Sequence, residues 1–165
     1  MNSVYMNRES ISFKEIYTRY YQDVYTFSLW ICKDTDDAKD IASETFLRAW
    51  MASSPMQQST LKSYLLTIAR NLYLQKIKKQ QRYTELHNNI ATDEHTPENS
   101  IELESIQKVL STFPEPAKTI FHLKVYQELS YQEISEIVKL SVSACKVAVF
   151  RVRKKLMTLF KTEEL

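Results

Sequence analysis

Cations are spread unevenly along this chain. Between residues 60 and 84, Lys62, Arg70, Lys76, Lys78, Lys79 and Arg82 occur without one acidic residue among them. Between residues 137 and 162, Lys139, Lys146, Arg151, Arg153, Lys154, Lys155 and Lys161 repeat the pattern. Between them, residues 85–116 are acidic, with Glu85, Asp93, Glu94, Glu98, Glu102, Glu104 and Glu115 set against Lys108. A formal net charge of +2 conceals this blocking. Acid-free runs interleaved with aromatic and apolar residues suit a polyanion, because ammonium and guanidinium groups neutralise phosphates and aromatic faces stack on bases.

Other chemistries find little footing. The chain has no glycine, which removes Gly-rich phosphate loops, dinucleotide fingerprints and nucleophile elbows. Tight hairpins lose their usual residue too, so a strand-rich fold is disfavoured. Cys32 and Cys145 stand far apart in apolar helical patterns, and His87, His95 and His122 have no metal-ligand spacing. We therefore expect two reduced, partly buried thiols and structural or linker histidines, with no catalytic residue, metal or cofactor. The polar N-terminus MNSVYMNRES lacks the apolar core of a secretion signal. No uncharged apolar run approaches the roughly 18–20 residues that span a bilayer. These features predict a cytoplasmic, non-enzymatic protein that does not insert into membranes.

The elements that must carry the charges read as helices. Phe13, Ile16, Tyr17, Tyr20, Val24, Phe27 and Ile31 mark one helical face, ending near Lys33. Asp34 to Asp37 offers N-cap and first-turn acids for a second helix, about 36–52, with Ala38, Ile41, Ala42, Thr45 and Ala49 inward. Pro55 breaks a loop over 53–59, and a third helix, about 60–82, is expected to turn Leu61, Leu65, Ile68 and Leu72 inward. From Tyr83 to Ser100 the sequence is polar, holds Pro97 and lacks a helical period, which reads as a linker. Beyond it, Leu103, Ile106, Val109 and Leu110 mark one helix, ended by Phe113-Pro114-Glu115-Pro116, and Ile120, Phe121 and Leu123 belong to another over about 115–127. Ser130-x-x-Glu133 is a capping box opening a short helix with Ile134, Ile137 and Val138. Ser141 then caps a long basic helix carrying Val142, Cys145, Val149, Val152 and Leu156. Short capped helix, tight turn and long basic helix form a helix-turn-helix pattern. The expectation is an all-α chain of two small helical domains, at 10–83 and 101–162, joined by a flexible acidic linker at 84–100.

Four segments in order resemble the extracytoplasmic-function group of RNA polymerase sigma factors. Asp36 to Trp50 (DDAKDIASETFLRAW) resembles that group's polymerase-binding segment, and Tyr64 to Asn71 (YLLTIARN) its promoter-melting helix. Leu129 to Ile134 (LSYQEI) and Arg151 to Leu156 (RVRKKL) resemble its second domain, which reads the upstream promoter element. The group commonly has Gln where this chain has Ser43 and Asp where it has Gln75, and only Lys146 of its usual recognition-helix run survives over 143–148.

The resemblance implies a region 2-like N-terminal domain and a region 4-like C-terminal one. Core RNA polymerase and promoter DNA become the expected partners, with an anti-sigma factor as a further candidate. It places Asp37, Asp40, Glu44, Phe46, Leu47 and Arg48 against polymerase. Tyr64, Asn71 and Tyr73, with the 53–59 loop, become candidates for handling unstacked bases of the downstream element, beside Arg70. Lys76, Lys78, Lys79 and Arg82 would hold phosphates. In the last helix Ser143, Ala144, Lys146, Val147, Phe150 and Arg151 would enter a major groove, with Arg153, Lys154 and Lys155 on the backbone. Without the resemblance, Tyr64 and Tyr73 read as ordinary core aromatics, and Asp40 and Glu44 as a solvated face. Two alternatives remain on the residues: a polymerase-independent helix-turn-helix regulator, and a helical adaptor whose basic faces meet acidic proteins.

Overall fold

A computed structural model describes residues 12–52, 60–87 and 101–163. Among them lie seven helices: α1 (Phe13–Cys32), α2 (Thr35–Met51), α3 (Leu61–His87), α4 (Ile101–Ser111), α5 (Glu115–Val125), α6 (Tyr131–Val138) and α7 (Val142–Glu163). The chain divides into two compact units, Met1–His95 and Thr96–Leu165.

In the first unit α1, α2 and α3 pack on one another. Ser12 caps α1 through a capping box: its hydroxyl accepts the Glu15 N–H at 3.2 Å, and Glu15 Oε2 accepts the Ser12 N–H at 2.8 Å. Those bonds hold the Glu15 carboxyl below its ordinary range. The helix stops at Lys33, in the left-handed region at φ 55°, whose N–H returns to Leu29 O at 2.9 Å. Asp34 caps α2 by accepting the Asp37 N–H at 2.8 Å. A two-residue turn thus makes α1 and α2 a helical hairpin.

The core of this unit is Ile16, Val24, Phe27 and Ile31 of α1, Ala38, Ile41, Ala42, Phe46 and Ala49 of α2, and Leu65, Leu66 and Ala69 of α3. All five expected inward residues of α2 are buried. On α1 the expected aromatics Phe13 and Tyr17 lie at the edge instead, exposed on one side. The phase of α3 also departs from the Leu61-Leu65-Ile68-Leu72 stripe, since its buried set is Ser63, Leu65, Leu66, Ala69 and Arg70. Leu65 and Leu66 anchor the inward face with the small Ser63 and Ala69 beside them, which leaves Leu61, Ile68 and Leu72 only half-buried. The helix also runs to His87, past its expected end near residue 82. Residues 76–87 contain no Gly or Pro and many good helix formers, so nothing local stops it.

In the second unit α5 packs on α6 and α7, α6 on α7, and α4 on α7. Its core holds Leu110, Ile120, Phe121, Leu123, Leu129, Ile134, Ile137, Val138, Cys145, Val149 and Val152. Helix α5 ends at Val125, two residues before its expected end, and Glu128 follows with φ 56° while the Leu129 N–H reaches Leu123 O at 3.1 Å. The expected capping box opens α6: Ser130 Oγ accepts the Glu133 N–H at 3.1 Å, and Glu133 Oε2 accepts the Ser130 N–H at 2.9 Å. Lys139 ends α6 at φ 57°, and Ser141 caps α7 by accepting the Ala144 N–H at 3.1 Å. The helix-turn-helix is therefore built without glycine, on a lysine held left-handed.

Candidate nucleic-acid and polymerase interfaces

Helix α7 separates its faces cleanly. Cys145, Val149 and Val152 are buried, whereas Ser143, Ala144, Lys146, Val147, Phe150, Arg151 and Lys154 are all exposed. Phe150 is 64% exposed, so it takes no part in the core. An exposed phenyl amid cations, with small Ser143 and Ala144 at the helix start, leaves room for a groove wall and offers an apolar contact to a thymine methyl. Arg153 is exposed as well. Lys155 differs, because its ammonium donates to Thr112 Oγ1 at 3.0 Å and lies 5.5 Å from the Phe113 ring centroid. It ties α7 to the α4–α5 turn.

The α2 surface is mixed. Asp40 is exposed, and Glu44 accepts from Arg48 Nε at 2.7 Å along the same helix. Leu47 is 51% exposed and Met51 lies open beside it one turn on, an apolar strip that the sequence pattern did not single out at Met51. Phe46 requires correction. At 1% exposure it is core, with its ring centroid 5.0 Å from Tyr17 and 6.2 Å from Tyr21. Its spacing to Ala42, Thr45 and Ala49 already put it on the inward phase, a signal stronger than its place beside Leu47. Asp37 and Lys76, expected at different interfaces, form an ion pair that clasps α2 to α3. Lys62 and Asp23 add a second such contact between α3 and α1 at 3.6 Å.

On α3 the candidate base-handling residues share one helix with different access. Asn71 is exposed, Tyr64 and Tyr73 are half-buried, and burial pushes the Tyr64 phenol above its ordinary range. Lys78, Lys79 and Arg82 are exposed. Arg70 is the second correction: at 8% exposure it is drawn inward with Leu66 and Ala69 and is not a surface cation. The 53–59 loop and most of the linker, His95 included, lie outside the described residues.

One buried polar pair went unread in the sequence. His122, inside the apolar run Ile120 to Leu123, is buried with its Nε2 3.2 Å from the amide nitrogen of Gln127. An apolar run hides a histidine's role, and Gln127 carries no helical signal. Burial pushes the Cys32 and Cys145 thiols up, which keeps them protonated. Among the described residues no cluster of His, Cys, Asp and Glu could hold a metal ion, and no helix is long and apolar enough to cross a membrane.

A helical domain with a basic strip on its third helix, and a separate helix-turn-helix with an outward basic face, define a DNA-binding protein with two distinct recognition surfaces. Residues 16–83 match the Sigma-70 region 2 family, and residues 103–156 match Sigma-70 region 4. The chain is 29% identical to the ECF RNA polymerase sigma factor SigM of Bacillus subtilis, over 88% of this chain and 93% of that one. It is 28% identical to the RNA polymerase sigma factor YlaC of the same organism, over 96% and 98%. The fold matches that of the sigma factor RpoE, solved in complex with the anti-sigma factor NepR from Bartonella quintana. The TM-score is 0.79 at 23% identity, covering 90% of this chain and 96% of that one. The chain belongs to the extracytoplasmic-function group of the sigma-70 family. It works with core RNA polymerase at promoter DNA, conferring promoter-specific transcription initiation.

Proposed function

We propose that the two units divide promoter recognition between them. The N-terminal unit docks on core polymerase through α2, using Asp40, Glu44, Leu47 and Arg48, while Asp37 holds α3 in place through Lys76. Its third helix handles unstacked bases of the downstream element with Tyr64, Asn71 and Tyr73, and follows the backbone with Lys78, Lys79 and Arg82. The C-terminal unit reads the upstream element as duplex through Ser143, Ala144, Val147, Phe150 and Arg151, with Lys146 and Lys154 on phosphate. The observation that carries this reading is the exposure of that whole set on the face of α7 opposite Cys145, Val149 and Val152. The domain limits that go with it are 10–83 and 101–162, although α3 takes residues 84–87 from the linker's start.

The protein itself catalyses nothing on this reading and acts in the cytoplasm, where polymerase and promoters are. A relative solved with an anti-sigma factor supports such a partner here too, competing for the polymerase-facing surface. Reconstitution tests the scheme. The free protein should bind promoter duplex weakly, with little sequence preference and steep salt dependence, since unstacking costs a few kcal/mol that one small domain does not repay. With core polymerase it should bind specifically and render thymines of the melted segment reactive to permanganate. Tight, sequence-specific duplex binding that polymerase leaves unchanged would replace this scheme with that of a lone regulator.

A further inference from the structure

Three helices of the C-terminal unit meet on one tyrosine. Tyr131 is the first residue of α6, directly after the Ser130 cap, so the capping box fixes where its ring begins. Over that ring lie two ammonium groups: Lys124 of α5, 4.5 Å from the centroid, and Lys146 of α7, 5.8 Å from it. Lys124 is itself held, donating to Leu129 O at 3.3 Å. Lys146 is exposed, with Tyr131 and Lys124 half-buried beside it.

An exposed lysine has a flexible four-carbon stem, and freezing it on a ligand costs entropy. A π face within about 6 Å attracts the ammonium and narrows where it points. The direction matters here, because the ring draws Lys146 away from the axis of α7 and toward the start of α6. A cation turned that way meets the DNA backbone beside the groove, not a base edge inside it. Lys124, 4.5 Å from the same ring, adds a second positive charge beside Tyr131, which strengthens the pull on a backbone phosphate there.

The geometry points to Tyr131 as a positioning residue that aims Lys146, with Lys124, at one phosphate of the upstream promoter duplex. This inference rests on α7 being the helix that meets DNA.

The test uses holoenzyme reconstituted from the full chain and core polymerase, on promoter fragments that the wild-type holoenzyme selects from a library randomised in the upstream element. Tyr131→Leu should weaken binding about three- to tenfold, and Tyr131→Phe, which keeps the ring, should stay within about twofold of wild type. Lys146→Met should lose about as much as Tyr131→Leu, and equally on every selected sequence. The double variant should lose no more than the larger single change, whereas mere destabilisation by Tyr131→Leu would multiply with the loss from Lys146→Met. In the free protein the ε-methylene protons of Lys146 should show ring-current shifts, a readout independent of whether Tyr131→Leu folds well. Absent shifts, multiplicative losses, or a Tyr131→Phe variant as weak as Tyr131→Leu would each overturn the proposal. If Lys146→Met and Arg151→Ala are both silent, α7 does not read DNA and the broader reading falls with it. If they cost binding while Tyr131→Leu does not, only the positioning role is lost.

Discussion

The N-terminal unit spends much of its charge on itself, whereas α7 turns its charge outward. Asp37–Lys76 and Asp23–Lys62 join helices, and Glu44–Arg48 runs along α2. On α7, among the described residues, no carboxylate pairs with Arg151, Arg153 or Lys154. A surface already paired must exchange partners to bind, so its contribution comes from apolar contact and fit. An unpaired basic face contributes through phosphate neutralisation and counterion release. The difference suits a chain whose α2 meets a protein and whose last helix meets a polyanion.

The largest expected effect separates core from surface within α2. Phe46→Ala should cost about 3–5 kcal/mol of N-terminal stability, because it empties a fully buried aromatic site. Leu47→Ala, one residue on and half exposed, should change the melting temperature little and weaken polymerase binding. Thermal melting beside a polymerase affinity assay checks both; equal melting temperatures would put Phe46 back on the surface.

The next effect tests whether the paired α2 face meets polymerase at all. Reversing Asp40 and Glu44 together to Lys opens no cavity, so the fold should survive within about 1 kcal/mol. Polymerase affinity should fall at least about tenfold, since like charges mispair at the contact and slow association. A double variant that binds as well as wild type would move the docking face elsewhere.

On α7 the comparison sharpens into two kinds of cation. Arg151→Ala should cost the holoenzyme about 1–3 kcal/mol and relax preference at one base pair. Lys154→Ala should weaken all sequences alike and lower the slope of log affinity against log salt by about 1. Matching profiles for the two variants would mean that Arg151 is only another phosphate contact.

What the sequence made legible follows the same division. Every candidate on α7 faces outward, because Cys145, Val149 and Val152 at a 4, 3 spacing leave the helix one possible phase. The five inward residues of α2 were legible for the same reason. On α3 the expected stripe misled in part, since Ser63, Leu66, Ala69 and Arg70 share the buried face with Leu65 while Leu61, Ile68 and Leu72 are half-buried. Phe46 sits among residues that match the family's polymerase-binding segment, yet its own helical spacing to Ala42, Thr45 and Ala49 buries it. The clasp between Asp37 and Lys76 was out of reach, because it depends on how two helices cross and on no local pattern.

The smallest effect concerns turns that lack glycine in both units. Lys33 and Lys139 each end a helix in the left-handed region, at φ 55° and φ 57°. A residue with a Cβ pays about 1–2 kcal/mol there, which glycine avoids. Glycine also loosens the unfolded chain, which returns about 0.4–1 kcal/mol of that gain. The net for Lys139→Gly is then a stabilisation of about 0.5–1 kcal/mol, a rise of a few degrees in melting temperature for a domain this small. Lys33→Gly should behave alike, since its N–H closes the same 2.9 Å bond to the residue four before it. The pair also tests the charge comparison, because both substitutions delete a lysine outside the faces assigned to partners. Promoter binding by the Lys139→Gly holoenzyme should therefore match wild type, while a drop would extend the phosphate-binding surface into the turn itself. A melting temperature that falls on either substitution would mean that the turn is not strained and that these lysines hold it by contacts of their own.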